Sequence, residues 1–526
     1  MVDVIKYTVI TFAPVQGFIE KTRKLRDLYG ASLILSHLSY RLIQEANKTE
    51  NNLEVISPAL PNLQKGIPNR ILLKGEFSQT QVEKALLSAW KELLYECRTW
   101  IERKLPDTYH WEREWQNLGN YAWEIFWGSG ENIELAMDDL ERRKLSRNWT
   151  GLNWIGESSS MTGADAIAFP GLGAESRNPN NRVWRDEKAT IERFYRRLGC
   201  LLENLPLDAE PEGTLFATNE KISIGELVKR LVAIDSTGIA KKLSIPRLGD
   251  SFSDIYRRPD DITESKKGRW TGWFMGDGDK VGEHLKKLAR SQDSDEEIKK
   301  FSRAMCDWGE SFAINFRQEL GRVVYAGGDD FLGVIYSEEH ESKVEPESAL
   351  DWLTKLPLEW EKHQQDITVS VGFIWAGHSV PQRDILQHCR EAEKKAKSLG
   401  RNRVTIRVIF NSGQYIEWTC PWDYLNILSQ YQDLDGNRNW GHIYSDLAQL
   451  EARGAFNIDK RTFNKNFALD FFDIYFPGEG KRLGNYEFAK DVVGYTDENE
   501  ENERVEKIID WMRSLIKVGW QLCSNS

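Results

Sequence analysis

Paired cysteines are missing from this chain. Its six cysteines (Cys97, Cys200, Cys306, Cys389, Cys420 and Cys523) stand singly, with no Cys-x-x-Cys spacing. This argues against a disulfide framework and against a thiolate zinc site. The eight histidines are equally dispersed, with no His-Asp dipeptide and no His-Glu-x-x-His, so a histidine-rich metal hydrolase centre is not expected. No apolar run approaches the roughly 18 residues of a membrane span, and Met1-Val2-Asp3-Val4-Ile5-Lys6 lacks a signal-peptide pattern. A cytoplasmic protein with no membrane association is the expectation. Positive net charge is absent too. At −11, the chain is not built to coat nucleic acid non-specifically, although a local basic groove is compatible with that charge.

What is present is ordinary in bulk and unusual in detail. The 526 residues exceed one core, and the length suggests roughly three to four domains. A hydrophobic content of 40% with 29% charged residues fits a globular protein. Lys21, Arg23, Lys24 and Arg26 form one basic cluster, and Arg142, Arg143, Lys144 and Arg147 another. Either is a nucleic-acid contact or simply a solvated helix face. The 20 tryptophans suit cores and subunit contacts, with some available to stack on bases.

Four segments follow from composition and periodicity. Residues 1–150 read as a first α/β unit: a strand at Tyr7–Phe12, a break at Pro14, a packed helix around Leu33–Leu38, a strand near Ile71–Leu73 and a long helix from Gln79 to Lys104. Residues 151–265 read as mostly helical, with helices at 187–204 and 223–236 after a Ser/Gly-rich opening at Glu157–Gly163. Residues 266–412 repeat the α/β character in the order β-α-β-β-α-β, the pattern of a ferredoxin-like palm. Residues 413–526 turn Trp-, Tyr- and Leu-rich and read as a C-terminal helical domain. The expected fold class is α+β, with two ferredoxin-like palms and two mainly helical domains.

The chemistry concentrates in the second palm. Val323–Ala326 and Phe331–Tyr336 flank Gly327-Gly328-Asp329-Asp330, which predicts a β-hairpin with two carboxylates at its tip. Gly327 and Gly328 permit the turn and leave room for a bulky ligand. Adjacent acids are costly without a cation beside them. Taken alone, the tetrapeptide also fits an ordinary polar turn. Phe274-Met275-Gly276-Asp277-Gly278-Asp279 closes the preceding strand, and the palm topology sets it beside the hairpin. Asp277, Asp329, Asp330 and the Gly278 carbonyl then suit two Mg²⁺ (or Mn²⁺) ions about 3.5–4 Å apart. Asp279 is expected to cap the next helix. Lys397 and Arg401, at a helix end closed by Gly400, supply cations for a triphosphate, or else simply complement the helix dipole.

The order Asp277-Gly278-Asp279, Gly-Gly-Asp-Asp-Phe331, Thr368-Val369-Ser370-Val371-Gly372 and Ala396-Lys397-x-x-Gly400-Arg401-Asn402 resembles GGDEF-type and adenylyl-cyclase-like palms. Phe12-Ala13-Pro14-Val15-Gln16-Gly17-Phe18-Ile19, Arg23, Asp27-Leu28-Tyr29-Gly30-Ala31-Ser32, Pro68-Asn69-Arg70 and Glu226-Leu227-Val228-Lys229-Arg230-Leu231 narrow the match. Together they resemble, over nearly the whole chain, the large subunit of type III-B (Cmr) CRISPR effector complexes.

That resemblance implies a nucleotidyltransferase that binds two ATP molecules between a degenerate first palm and an acid-bearing second one. On capture of target RNA by the guide RNA, such a subunit polymerises ATP into cyclic oligoadenylates for antiviral defence. It implies metal-binding and catalytic roles for Asp277, Asp329 and Asp330, triphosphate contacts from Lys397 and Arg401, and nucleotide contacts from Ser32 and Ser370. The implied partners are the other subunits of the complex, guide RNA and target RNA.

Two departures from the family pattern bear on function. The first palm starts within ten residues of Met1, so no HD nuclease domain and no DNA cleavage are expected. The family's zinc cysteines are replaced near Glu157–Gly163, so no zinc is expected and packing should hold that loop. Three other readings compete: a free-standing diguanylate cyclase, a non-catalytic RNA-complex scaffold, and an enzyme that adenylates another small molecule to give a linear conjugate.

Overall fold

The computed structural model describes residues 6–48, 53–59, 66–146, 157–163, 165–174, 185–217, 219–248, 252, 254–255, 268–317, 319–337, 342–433, 436, 438–457, 463–495 and 500–524. They form two compact units: Met1–Asp254 with Gly282–Asp307, and Ile255–Val281 with Trp308–Ser526.

In the first unit, the β-branched and aromatic run Tyr7–Ala13 forms β1 and sits at the centre of a sheet. Then come α1 (Val15–Glu20), α2 (Leu25–Ala46), β2 (Glu54–Ser57), β3 (Ile71–Lys74), α3 (Gln79–Lys104), α4 (Glu112–Tyr121), β4 (Glu124–Gly130) and α5 (Ile133–Leu145). The sheet order β2-β3-β1-β4, antiparallel throughout, is that of a ferredoxin-like palm. Helix α3 keeps the bounds expected from sequence because Ser78 and Gln81 form a capping box at its start.

Helices α6 (Arg185–Leu202), α7 (Ile224–Val232) and α8 (Ile239–Lys242) follow. Helix α7 is buried on every side, Lys229 and Arg230 included, so its charges must find partners inside. Arg230 donates to both oxygens of Asp27 on α2 (2.8 and 2.7 Å) and to Glu220 (2.8 Å). Burial works to raise the Asp27 carboxyl, but Arg230 overrides it and holds the acid below its usual range. The Asp27 and Glu226–Leu231 motifs therefore meet as a buried interlock of α2 with α7. The Glu157–Gly163 loop, expected to be held by packing, is tied down by hydrogen bonds. Ser159 Oγ donates to Glu226 (2.6 Å), and Ser160 N–H donates to the Lys221 carbonyl (2.8 Å).

Helix α9 (Val281–Ala289) and α10 (Ser294–Asn315) come next. Leu285 and Leu288 of α9 and Ile298 of α10 pack with Val9, Leu72, Met137 and Leu140 in the first unit's core.

The second unit is built on β5 (Thr271–Gly278), β6 (Gly321–Ala326), β7 (Asp330–Ile335), α11 (Pro346–Trp360), β8 (Val369–Ala376), α12 (Gln382–Ser398), β9 (Arg403–Ile409) and β10 (Tyr415–Pro421). Its sheet order is β10-β9-β8-β5-β7-β6. The run β8-β5-β7-β6 repeats the palm, and β9 lies parallel to β8. The segment after Gly413, expected to be helical, instead opens with β10, paired to β9 from Tyr415↔Ile409 to Pro421↔Arg403. Its Trp and Thr content reflects a strand half-covered by a helix. The chain ends with α13 (Ile427–Gln430), α14 (Gly441–Ala452), α15 (Lys465–Tyr475), α16 (Glu479–Gly484), α17 (Tyr486–Val493) and α18 (Glu501–Cys523). Trp511 of α18 donates to the Thr419 carbonyl of β10 (2.7 Å). Among the described residues, no helix is long and apolar enough to cross a membrane.

Candidate functional site

The hairpin forms where the glycines placed it. Ala326 pairs with Phe331, and Gly327 N–H donates to the Asp330 carbonyl across the turn (3.0 Å). Gly328 has φ 100, a left-handed value that residues with a Cβ rarely adopt. Phe331, directly after the acid pair, anchors the tip. Its ring lies 5.5–6.2 Å from those of Phe274, Trp308, Phe312 and Trp360.

The ladder brings the acids together. Asp277 of β5 stands directly opposite Asp330 of β7, and opposed residues of an antiparallel pair project from the same face. Gly278 N–H donates to the Asp329 carbonyl (3.0 Å), which ties the two motifs through their backbones. The Asp330 carboxyl is open at the surface yet set among dense protein. This loss of hydration, with the like charges of Asp329 and Glu393, pushes its pKa up to about 7.

Helix α12 brings a cation to the same strand end. Lys397 pairs with Asp277 and, at 2.6 Å, with Glu393 one turn earlier. Burial and the neighbouring Arg401 pull Lys397 down to about 8, against the opposite pull of its two carboxylate partners. Glu393 is buried, and burial followed by Asp279 pushes it up to about 7. Gly372 on β8 makes this approach possible. A Cβ there would lie 2.3 Å from the Cys389 carbonyl oxygen and 2.7 Å from the Glu393 nitrogen of α12.

Arg401 is exposed in the turn after α12, with φ 66. Gly400, at φ 128, follows the last helical turn, as its expected role in closing that helix requires. Asp279 is not a helix cap. It is buried, and it accepts hydrogen bonds from Thr368, Ser370 and the Asn402 backbone. The Ser370 hydroxyl donates to Asp279 (2.7 Å) and is wholly buried. Ser32 is buried on α2 in the first unit.

Both basic clusters are largely spent on internal partners. Lys21 pairs with Asp165 (3.0 Å), Arg26 with Asp254 (3.2 Å), and Lys24 donates to the Thr214 carbonyl, leaving Arg23 exposed. Arg142 and Arg143 both hold Asp139, at 2.6 and 2.9 Å. Arg147 lies outside the described residues. A surface cavity of about 420 Å³ lined by α3 and α4 contains none of the expected site residues.

Sequence reasoning missed Glu393, Thr368 and Asn402. The Glu393-x-x-x-Lys397 spacing, one helical turn, was the available signal for the first.

Among the described residues, no three His, Cys, Asp or Glu side chains are gathered tightly enough to hold a metal ion by themselves. The donor set nonetheless fits a hard divalent cation. It consists of carboxylate oxygens and one backbone carbonyl, and Mg²⁺ is held by one or two carboxylates plus water and substrate phosphates. The Asp330 carboxyl is raised by burial first and by the charges of Asp329 and Glu393 second, and a bound cation would favour its ionised form against both.

Fold and site define a protein with two palm sheets, the second nucleotidyltransferase-like. Residues 271–405 match the family model described as Cas10/Cmr2, second palm domain, and residues 7–95 match CRISPR-associated protein Cmr2, N-terminal. The chain thus carries both of these Cas10/Cmr2 domains, which supports its kinship with the large subunits of type III CRISPR complexes. A chain of the type III-B Cmr-beta assembly in its apo state has the same fold, with TM-score 0.56, 11% identity, and 98% of this chain and 82% of that one covered. The chain of a Csm1-Csm4 cassette in complex with one ATP aligns with TM-score 0.47 and 14% identity, covering 99% and 70%. No curated protein sequence matches the chain.

Proposed function

We propose that this subunit joins ATP molecules into cyclic oligoadenylates when its complex captures target RNA against the guide RNA. The observation that carries the reading is the opposition of Asp277 and Asp330 at one strand end, with Lys397 of α12 against the same carboxylate. In each round a ribose hydroxyl oxygen bonds to the α-phosphorus of the next ATP, the bond to pyrophosphate breaks, and the hydroxyl proton is released. Asp277, Asp329, Asp330 and the Gly278 carbonyl would hold Mg²⁺ or Mn²⁺, which when bound acidifies the hydroxyl and neutralises the leaving pyrophosphate. Lys397 and Arg401 bind the triphosphate. Lys397 exchanges its carboxylate partners for phosphate oxygens, and Arg401 is already exposed for that role.

This reading keeps the four-part division: a first palm (1–150), a helical region without zinc cysteines (151–265), a catalytic palm (266–412) and a C-terminal region (413–526). Strand β10 of the last segment completes the catalytic sheet.

The test is product analysis by chromatography and mass spectrometry, using the assembled complex with ATP and Mg²⁺, with and without matching target RNA. Target-dependent oligoadenylates that vanish in Asp329→Ala/Asp330→Ala are expected. No product from ATP alone, with activity restored by cell metabolites, would replace the reading with adenylation of another acceptor. No product under either condition would favour a scaffold.

A further inference from the structure

Asp279 is a buried carboxylate that the chemistry above does not use. Its Oδ1 accepts from Ser370 Oγ (2.7 Å), and its Oδ2 accepts from Thr368 Oγ1 (2.8 Å) and from Asn402 N–H (2.9 Å). Its own N–H donates to the Thr368 carbonyl (2.8 Å). Three segments converge on this one side chain: the end of β5 that carries Asp277, the start of β8, and the turn after α12.

That turn is a strained one. Gly400, Arg401 and Asn402 take φ values of 128, 66 and 49 in succession, and left-handed backbone at residues with a Cβ persists only where its surroundings enforce it. Asp279 grips the turn at Asn402. Arg403 grips it from the other side: buried, it donates from Nε to the Arg401 carbonyl (3.0 Å) and from Nη2 to the Asp491 carbonyl of α17 (3.1 Å). Arg401 is thus held through its own carbonyl and at Asn402 while its side chain stays exposed.

We infer that Asp279 is a positioning residue and not a metal ligand: with Arg403 it fixes the Gly400–Asn402 turn relative to Asp277, and so sets the affinity for the substrate's triphosphate. Both of its oxygens are occupied by hydrogen-bond donors, which leaves them turned away from cation binding. Asp277 at the end of β5 and Asp279 just beyond it divide the work, the first for the cation and the second for the geometry of the phosphate-binding cations. The assignment rests on the proposed triphosphate role of Lys397 and Arg401, whereas the anchor itself is tested without reference to it.

Asp279→Ala and Asp279→Asn separate the alternatives, with Asp277→Asn as the reference. Asparagine keeps an oxygen for Asn402 N–H, and the Thr368 and Ser370 hydroxyls can turn to accept from its amide. A metal ligand would not tolerate that exchange. Hydrogen exchange over the Asn402 amide in the full chain, without nucleotide, should show protection in wild type, loss in Asp279→Ala and recovery in Asp279→Asn. In the assembled complex with target RNA, Asp279→Ala should raise the KM for ATP on the order of 10–100-fold, with the Mg²⁺ dependence at saturating ATP unchanged. Asp279→Asn should recover most of that affinity.

An Asp279→Asn variant as impaired as Asp277→Asn, with a shifted Mg²⁺ dependence, would make Asp279 a ligand and overturn the inference. So would an Asn402 amide that stays protected in Asp279→Ala. If that variant does not fold, the comparison of the two asparagine variants still decides. If wild type turns over no ATP, the proposed function fails while the exchange measurement judges the anchor on its own.

Discussion

Asp330 sits where three carboxylates crowd one strand end, and its ionisation should govern cation binding. Desolvation, with Asp329 and Glu393, raises it from 3.8 to about 7, so its proton is held more tightly in the folded than in the unfolded chain. The stability this adds is fully present below the unfolded pKa and is lost as pH rises through about 7. Divalent cations need the ionised form and therefore bind more weakly as pH falls through the same range. Thermal melts should show a clear Mg²⁺-induced rise in Tm at about pH 8 and little at about pH 5.5, and Asp330→Asn should blunt the difference. An equal Mg²⁺ response at both values would dismiss this role. At this scale the sequence exposed Asp277, Asp329, Asp330 and Lys397, because short motifs at strand and helix ends carry their own geometry. It concealed the partners of Asp279, because Thr368 and Asn402 reach it only after three segments fold together.

The contact of α12 with β8 decides whether Glu393 and Lys397 reach the acids. Gly372 is the point of closest approach, and the missing Cβ is what lets the helix backbone lie there. Gly372→Ala should push α12 off the sheet, costing about 1–3 kcal/mol of stability. Activity should fall by more than the loss of folded protein, measured as product formed per folded complex after calorimetry. A variant with wild-type turnover would show that the helix position is not critical.

Elements differ in how far local sequence specified them. Helix α3 was legible to the residue because its Ser78 cap is local. Strand β10 was not, because the hydrogen bonds that make it a strand come from β9 and its cover comes from α18. The basic clusters read as possible nucleic-acid contacts, yet Lys21, Arg26, Arg142 and Arg143 fold back onto Asp165, Asp254 and Asp139.

For the whole molecule the relevant quantities are charge and assembly. With a net charge of −11 and its basic clusters largely neutralised, the isolated chain should bind single-stranded RNA no more tightly than about 1 μM at about 0.15 M salt. It should also make little or no product from ATP until it is assembled with its partner subunits and target RNA. Fluorescence anisotropy and the product assay on the free chain check both statements. Tight RNA binding, or full activity of the free chain, would show that this subunit carries its own RNA sensor.

By itself the sequence determined the two palms, the acidic hairpin, the helix end with Lys397 and the kinship with type III large subunits. Each of these is written in residues close together along the chain. Only the tertiary structure decided what each polar group does: that Ser370 serves Asp279, that Arg230 locks α7 to α2, that Glu393 joins the acids, and that Asp279 holds a turn instead of capping a helix. The physical reason is that a buried polar group takes whichever partner folding brings within about 3 Å, and that partner is almost never its neighbour in sequence.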